Sequence, residues 1–147
     1  MGWVVQAHGE IYAHEFGWDA RFEALVAEIV AGFLRAYDRA RERCWIAERD
    51  GEPVGSVFVV RHTDDVARLR LLIVHPTARG TGLGRTLVAE CIRFAGAAGY
   101  NKLMLWTNDV LTGAHHIYES EGFQLVDQTP HADFGSLMVG ETWELVL

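Results

Sequence analysis

The sequence predicts a mixed α/β fold in which helices cover both faces of a central sheet. Segments with apolar residues at helical spacing alternate along the chain with short β-rich runs. The three prolines all fall in apparent loops between these segments. With 147 residues, half of them hydrophobic, the chain suits a single domain over residues 1–147.

Local patterns predict the elements of the first half. Residues 3–12 alternate enough to predict a strand, and Asp19 is suited to cap an amphipathic helix over about residues 20–40. The β-rich runs 44–48 and 54–60 flank an Asp-Gly turn, which predicts a hairpin.

In the second half, residues 66–74 predict a strand that ends apolar on both faces and is therefore central. The loop 76–82 opens directly into a helix over about residues 83–98, which Gly99 ends. Strands at 103–106, 123–126 and 143–147 and a short helix at 111–121 complete the order β-α-β-β-β-α-β-α-β-β.

The charge balance narrows the classes of partner. The formal net charge is −7, with Lys102 the single lysine, so an acidic chain without a basic tract is not expected to bind nucleic acid. Such a charge suits a cationic substrate somewhat better. No apolar run reaches the roughly 18 residues of a membrane span, and no secretory signal is expected at the start. Two cysteines make neither a disulfide framework nor a metal cluster, so we expect a cytoplasmic location.

The strongest functional feature is the loop Arg79-Gly80-Thr81-Gly82-Leu83-Gly84 between a strand and a helix. Glycines let the backbone approach a ligand closely. The unpaired amides and the macrodipole of a helix N-terminus form an anion site that suits a pyrophosphate, and Arg79 and Arg85 add positive charge. A side chain at Gly82 or Gly84 is expected to occupy the space of the phosphates.

Such a loop fits one of three kinds of phosphate site, or else a tight turn that binds nothing. A Walker loop needs Gly-Lys-Ser/Thr, whereas Arg85 and Thr86 follow Gly84 here. A dinucleotide loop needs Gly-x-Gly-x-x-Gly, but its last position falls on Arg85 or Leu87. An acyl-CoA loop passes both tests. A bare turn would not need all three alternating glycines, because each loses much backbone freedom on folding.

Two motifs together resemble the GNAT N-acetyltransferases. The first is Leu72-Ile73-Val74-His75-Pro76 followed by Arg79-x-x-Gly82-x-Gly84, and the second is Ala114-x-x-x-Tyr118-Glu119-x-x-Gly122-Phe123. Their order and separation are those of the family, and the likeness covers nearly the whole chain. More narrowly, His8-Gly9, Tyr12, Gly17-Trp18, residues 42–47 and residues 139–145 resemble the acetyltransferase domain that is fused to some MarR-type regulators.

The resemblance implies a GNAT-like acyltransferase fold with a mostly antiparallel sheet, and acetyl-CoA as acyl donor. It implies that Tyr118 places its hydroxyl near the thioester sulfur. The acceptor would be the amine of a small molecule or of a protein, with direct attack in a ternary complex, and relatives are often homodimers. The cofactor-binding positions that it implies are the backbone of Leu72, Ile73 and Val74 for pantetheine and of Gly80, Thr81, Gly82, Leu83, Gly84 and Arg85 for pyrophosphate.

The sequence departs from the family at two places. Where many relatives carry a cofactor-binding Asn, this chain has Leu111, so Asn108 is a candidate substitute or simply a cap for the last helix. Where many carry a carboxylate base, this chain has Leu105 and Trp106. The base is therefore left open among Glu15, His115, His116 and a water chain.

Other candidates keep two interpretations. Tyr12, Glu15 and Trp18, with Phe16, suit an acceptor pocket for an ammonium group, or else core packing and a solvated carboxylate. The loop 131–136 folds over the acceptor or is an ordinary hairpin loop. No metal site is expected, because two adjacent histidines point to different faces of a helix. The alternatives to amine acetylation are an acetyl-CoA-sensing regulatory domain and a structural domain that binds no nucleotide.

Overall fold

Four α-helices and six strands follow one another in the computed structural model, which describes residues 1–147. A short 3-10 turn at Pro76–Ala78 precedes the third helix. None of the helices is both long and apolar enough to span a membrane. In chain order the elements are α1 (Gly2–Phe16), α2 (Ala20–Arg35), β1 (Arg43–Arg49), β2 (Glu52–Arg61), β3 (Val66–Val74), α3 (Leu83–Ala97), β4 (Lys102–Asn108), α4 (Thr112–Ser120), β5 (Gln124–His131) and β6 (Met138–Val146).

The strands form one sheet in the order β1-β2-β3-β4-β6-β5. Every neighbouring pair is antiparallel except β3 and β4, which are parallel. Buried residues of α1 and α2 form a core on one face of the sheet, and buried residues of α3 and α4 form a second core on the other. The predicted mixed, mostly antiparallel sheet with helices on both faces is confirmed.

The predicted first strand is wrong, because residues 2–16 form helix α1. Its buried residues are Val4, Ala7, His8 and Tyr12, and this spacing of three and four places them on one helical face. The alternation of apolar and polar residues in 3–12, which predicted a strand, does not correspond to the pattern of burial. Gly17 ends the helix in the left-handed conformation, at φ 69°.

The ends of α2 and β5 also differ from the predicted ends. Asp19 caps α2 as predicted, accepting from the Arg21 amide at 3.0 Å, but the helix ends at Arg35, beyond which few apolar residues remain to bury. Strand β5 extends to His131 although its first seven residues are exposed. An edge strand exposed on both faces has no apolar alternation, so its length could not be predicted from periodicity.

The parallel pair β3–β4 separates partway along its length. Pairing runs from Val66 opposite Lys102 to Leu69 opposite Leu105, and then stops although both strands continue. A bulge against β2 lies just beyond this point, and within it Leu71 adopts φ 54°. The Ser56 hydroxyl donates to the Leu71 carbonyl at 3.2 Å and so supports the bulge. The sheet therefore has an opening at its centre, between the C-terminal halves of β3 and β4.

Candidate active site

A cavity of about 1000 Å³ occupies the opening between β3 and β4. Residues from all four helices and from both strands line it, so it reaches both faces of the sheet. Thr81 is the one predicted site residue outside it, and its hydroxyl donates to the Ala78 carbonyl at 2.6 Å. The predicted site residues that line the cavity are Tyr12, Glu15, Trp18, Leu72, Ile73, Val74, Arg79, Gly80, Gly82, Leu83, Gly84, Arg85, Asn108 and Tyr118.

At one end of the cavity lies the N-terminus of α3. Gly82 caps this helix at φ 83°, and Gly80 has φ 77°, so both occupy a conformation that other residues rarely adopt. No side chain caps the helix, and its first backbone bond runs from the Thr86 amide to the Gly82 carbonyl. The amides of the preceding turn therefore lack partners within the helix, as an anion site requires.

Gly84 has a different role from the one that the sequence suggested. A Cβ atom at this position would lie 2.8 Å from Cδ1 of Ile117 in α4, whereas nothing lies within 4 Å of a Cβ atom at Gly82. The expectation that a side chain at Gly84 would occupy the phosphate space is therefore wrong. Gly84 lets α3 and α4 approach each other closely.

An ion pair ties α1 to the glycine loop. The Arg79 guanidinium lies 2.6 Å from the carboxylate of Glu15, near the end of α1, and both side chains are partly exposed at the cavity. Arg85 lines the same region without an ion pair to the chain. Glu15 is therefore held by Arg79 at the mouth of the glycine loop while its side chain stays partly exposed.

Tyr118 lies on α4 in the middle of the cavity wall and is only 4% exposed. Its ring packs against Phe123 and Trp143, with centroids 5.7 and 6.4 Å away. Burial raises the pKa of Tyr118, and the nearby Tyr12 and Cys91 add to this effect. The phenol is therefore a protonated hydrogen-bond donor over the whole working pH range.

Comparison with known proteins shows which family has this sequence and fold. The family model described as "Acetyltransferase (GNAT) family" matches residues 6–123. The chain belongs to this family. Its described residues form an acyl-CoA-dependent N-acetyltransferase domain whose acyl donor is acetyl-CoA.

The chain is similar to several individual acetyltransferases. An N-acetyltransferase of Schizosaccharomyces pombe is 31% identical over 122 residues, 82% of this chain and 74% of the relative. N-acetylaspartate synthetase of Danio rerio is 36% identical over 86 residues, which are 58% of this chain but only 30% of that protein. An acetyltransferase of Salmonella typhimurium, solved with its cofactor acetyl-CoA, superposes with a TM-score of 0.76 at 20% identity, over 99% of this chain and 87% of the other.

In this GNAT domain Asn108 does not cap the last helix. Leu111 is the N-cap of α4, and no side chain bonds to the helix start. The Asn108 side-chain oxygen instead accepts a hydrogen bond from Nε2 of His131 at 2.6 Å. The Asp133 amide donates to Nδ1 of the same imidazole, so both contacts fit the tautomer with its proton on Nε2. Asn108, buried and lining the cavity, thus anchors the loop after β5.

The side of the cavity that α1 and α2 cover is aromatic. Tyr12, Trp18 and Phe22 contact one another with ring centroids 4.7–5.2 Å apart, and Phe134 from the loop after β5 packs 5.0 Å from Trp18. The Tyr12 hydroxyl donates to the Leu72 carbonyl at 3.4 Å. Burial raises the pKa of Tyr12 to about 12. All four rings belong to the core on this face of the sheet, and Tyr12, Trp18 and Phe22 also line the cavity. The acceptor pocket stays a prediction.

The histidines proposed as bases lie away from the cavity. Nε2 of His115 lies 2.7 Å from Oε1 of the buried Glu141, outside hydrogen-bond geometry, and His116 is exposed. Neither histidine lines the cavity. No group of three or more His, Cys, Asp or Glu side chains is placed to hold a metal ion.

Sequence reasoning missed His8 as a cavity residue. Its Nδ1 proton is donated to the Val4 carbonyl at 2.7 Å, and its buried Nε2 has no partner. Burial lowers the pKa of His8 to about 4. The missing signal was the helical period of α1, which places His8 beside Tyr12 on the buried face.

We expect Gly82→Ala to weaken acetyl-CoA binding about tenfold or more, measured by titration calorimetry. Alanine disfavours φ 83° by roughly 1–2 kcal/mol, so the loop would rotate its amides away from the phosphates. Gly96→Ala is the matched control on the same helix, where a Cβ atom meets nothing within 4 Å and φ is not positive. Equal affinity of the folded Gly82 variant and the control would contradict the assigned loop.

His8 should make the domain less stable in mild acid. The unfolded residue titrates near pH 6.5 and the folded one near 4, so its contribution is complete above pH 6.5 and is lost as pH falls. The loss amounts to about 3 kcal/mol by pH 4. Urea denaturation at pH 7 and 4 should show a smaller decrease for His8→Leu than for wild type or for the exposed control His62→Leu. Identical decreases in all three would refute this assignment.

Proposed function

We propose that this domain transfers the acetyl group of acetyl-CoA to a primary amine by direct attack in a ternary complex. The observation that carries the proposal is the continuity of one cavity from the α3 N-terminus, through the gap between β3 and β4, to the aromatic wall of α1 and α2. A donor and an acceptor can therefore meet without a covalent enzyme intermediate. Holding them together supplies much of the rate enhancement.

The gap between the strands also suits the donor. Beyond Leu69, the edge of β3 that faces β4 has no ladder partner, so backbone groups of Leu72, Ile73 and Val74 are available to an extended pantetheine arm. The free amides at the start of α3, with Arg79 and Arg85, would hold the pyrophosphate. A bound diphosphate would compete with Glu15 for Arg79.

The transfer requires two proton movements. As the nitrogen–carbon bond forms and the carbon–sulfur bond breaks, the amine loses a proton and the sulfur gains one. In this proposal Tyr118, which is protonated and buried in the cavity wall, donates to the departing sulfur. Of the proposed bases, only Glu15 lines the cavity, and Arg79 holds it 2.6 Å away. We therefore assign removal of the amine proton to water within the cavity.

The first test combines binding with turnover. We expect acetyl-CoA to bind with a Kd of roughly micromolar order, about −8 kcal/mol, and to release free CoA when a suitable amine from a broad panel is added. Failure to bind, by calorimetry and by thermal shift, would contradict the proposal. Binding without CoA release for any amine would instead support the sensing function suggested by the likeness to MarR-fused domains.

Replacing Tyr118 should affect the chemical step alone. Tyr118→Phe removes one hydroxyl and keeps the ring packing against Phe123 and Trp143, so we expect unchanged acetyl-CoA affinity and a kcat lower by about 100-fold. Because the raised pKa keeps the phenol protonated, the wild-type pH–rate profile should show no Tyr118 ionisation. Tyr100→Phe is a matched control, since the Tyr100 hydroxyl donates to the Arg41 carbonyl outside the cavity. An unchanged kcat in Tyr118→Phe, with chemistry rate-limiting, would remove the residue from the mechanism.

A further inference from the structure

Strand β3 carries two arginines on the face that α1 and α2 cover. Ala67 and Leu69 point into the core beneath α3, and by strand alternation Arg68 and Arg70 point to the other face. Both arginines line the cavity and are partly buried. They lie on the same side of the sheet as the aromatic wall.

Neither guanidinium has a partner within the chain. The ion pairs and cation–π contacts of the structure all involve other residues. Nε of Arg68 is buried without a hydrogen-bond acceptor. Burial lowers the pKa of both, the charge of Arg68 further lowers that of Arg70, and no carboxylate counteracts either effect.

This arrangement is unfavourable unless an anion completes it. Partly buried charges without partners are costly, and two neighbouring positive charges repel each other. The chain has 20 acidic residues against 13 basic ones, yet none of the acidic residues pairs with Arg68 or Arg70. Guanidinium groups favour carboxylates and phosphates, which they can bind through two parallel hydrogen bonds.

The position of the arginines separates them from the phosphates of the donor. The free amides assigned to the pyrophosphate start at the glycine loop, which follows the end of β3. Arg70 lies on the opposite side of the Leu71 bulge, about 13 Å of extended strand before Val74. An anion bound there lies beyond the thioester end of the pantetheine path, where the acceptor enters.

We propose that Arg68 and Arg70 bind a carboxylate of the acceptor, so that the acceptor is an amino acid or a similar small amine bearing carboxylate. This proposal rests on the proposed acetyltransferase function. It differs from the expectation from net charge, which suited a cationic substrate somewhat better. The total charge of −7 describes the whole chain, whereas the acceptor side of the cavity holds two unpaired positive charges.

The test compares amines in matched pairs, each an amino acid and its decarboxylated counterpart, such as leucine with isopentylamine and phenylalanine with phenethylamine. CoA release should give a kcat/KM at least tenfold higher for the better amino acids than for their amines lacking the α-carboxylate. Arg68→Met and Arg70→Met should each raise KM for the amino acid at least tenfold and leave the Kd of acetyl-CoA unchanged. The exposed surface variant Arg93→Met is the control and should behave as wild type.

A second measurement does not depend on turnover. Because the guanidiniums lack partners, both Met variants should keep or increase the melting temperature of the free protein, whereas a structural role would lower it. In wild type with CoA present, the amino acid should raise the melting temperature, and in the variants this shift should disappear.

The outcomes distinguish this inference from the proposed function. If acetyl-CoA does not bind, the proposed function fails. If amines are acetylated equally well with and without a carboxylate, or if both Met variants keep the wild-type KM for the amino acid, only the carboxylate assignment is overturned.

Discussion

The separation of β3 from β4 is the constraint on which the rest of the structure depends. A parallel pair in the middle of a sheet would normally stay paired, and its backbone groups would then be unavailable to a ligand. Here pairing stops after Leu69 and Leu105, at a bulge in which Leu71 has a positive φ. The unpaired strand edges form the cavity, and they need a ligand or water to satisfy them.

Because of the opening, functional groups from both faces of the sheet line one cavity. The α3 and α4 side supplies free helix amides and the Tyr118 hydroxyl. The α1 and α2 side supplies aromatic rings, the neutral His8 and the two unpaired arginines of β3. The Arg79–Glu15 ion pair ties the two sides together at the cavity. In the proposed function, the donor and the acceptor would approach from the two faces of the sheet and meet where it opens.

The donor side could be predicted from the sequence because its features are local. A glycine loop between a strand and a helix specifies its own geometry, and the positive φ of Gly80 and Gly82 follows from that motif. The acceptor side depends on contacts between distant segments. The apolar residues of 3–12 fit both the period of a strand and that of a helix. Packing against α2 selects the helix, which brings His8 and Tyr12 to the cavity. Likewise, the sequence shows arginines at positions 68 and 70, but only the structure shows that no carboxylate faces them.

The most direct measurement is a crystal structure of the protein with CoA and an amino acid. We expect the pantetheine arm between β3 and β4, bonded to the backbone of Leu72–Val74, with its sulfur near the Tyr118 hydroxyl and the amino-acid carboxylate against Arg70. Electron density for the cofactor outside the opening, or a continuous β3–β4 ladder beyond Leu69 in the complex, would contradict the account.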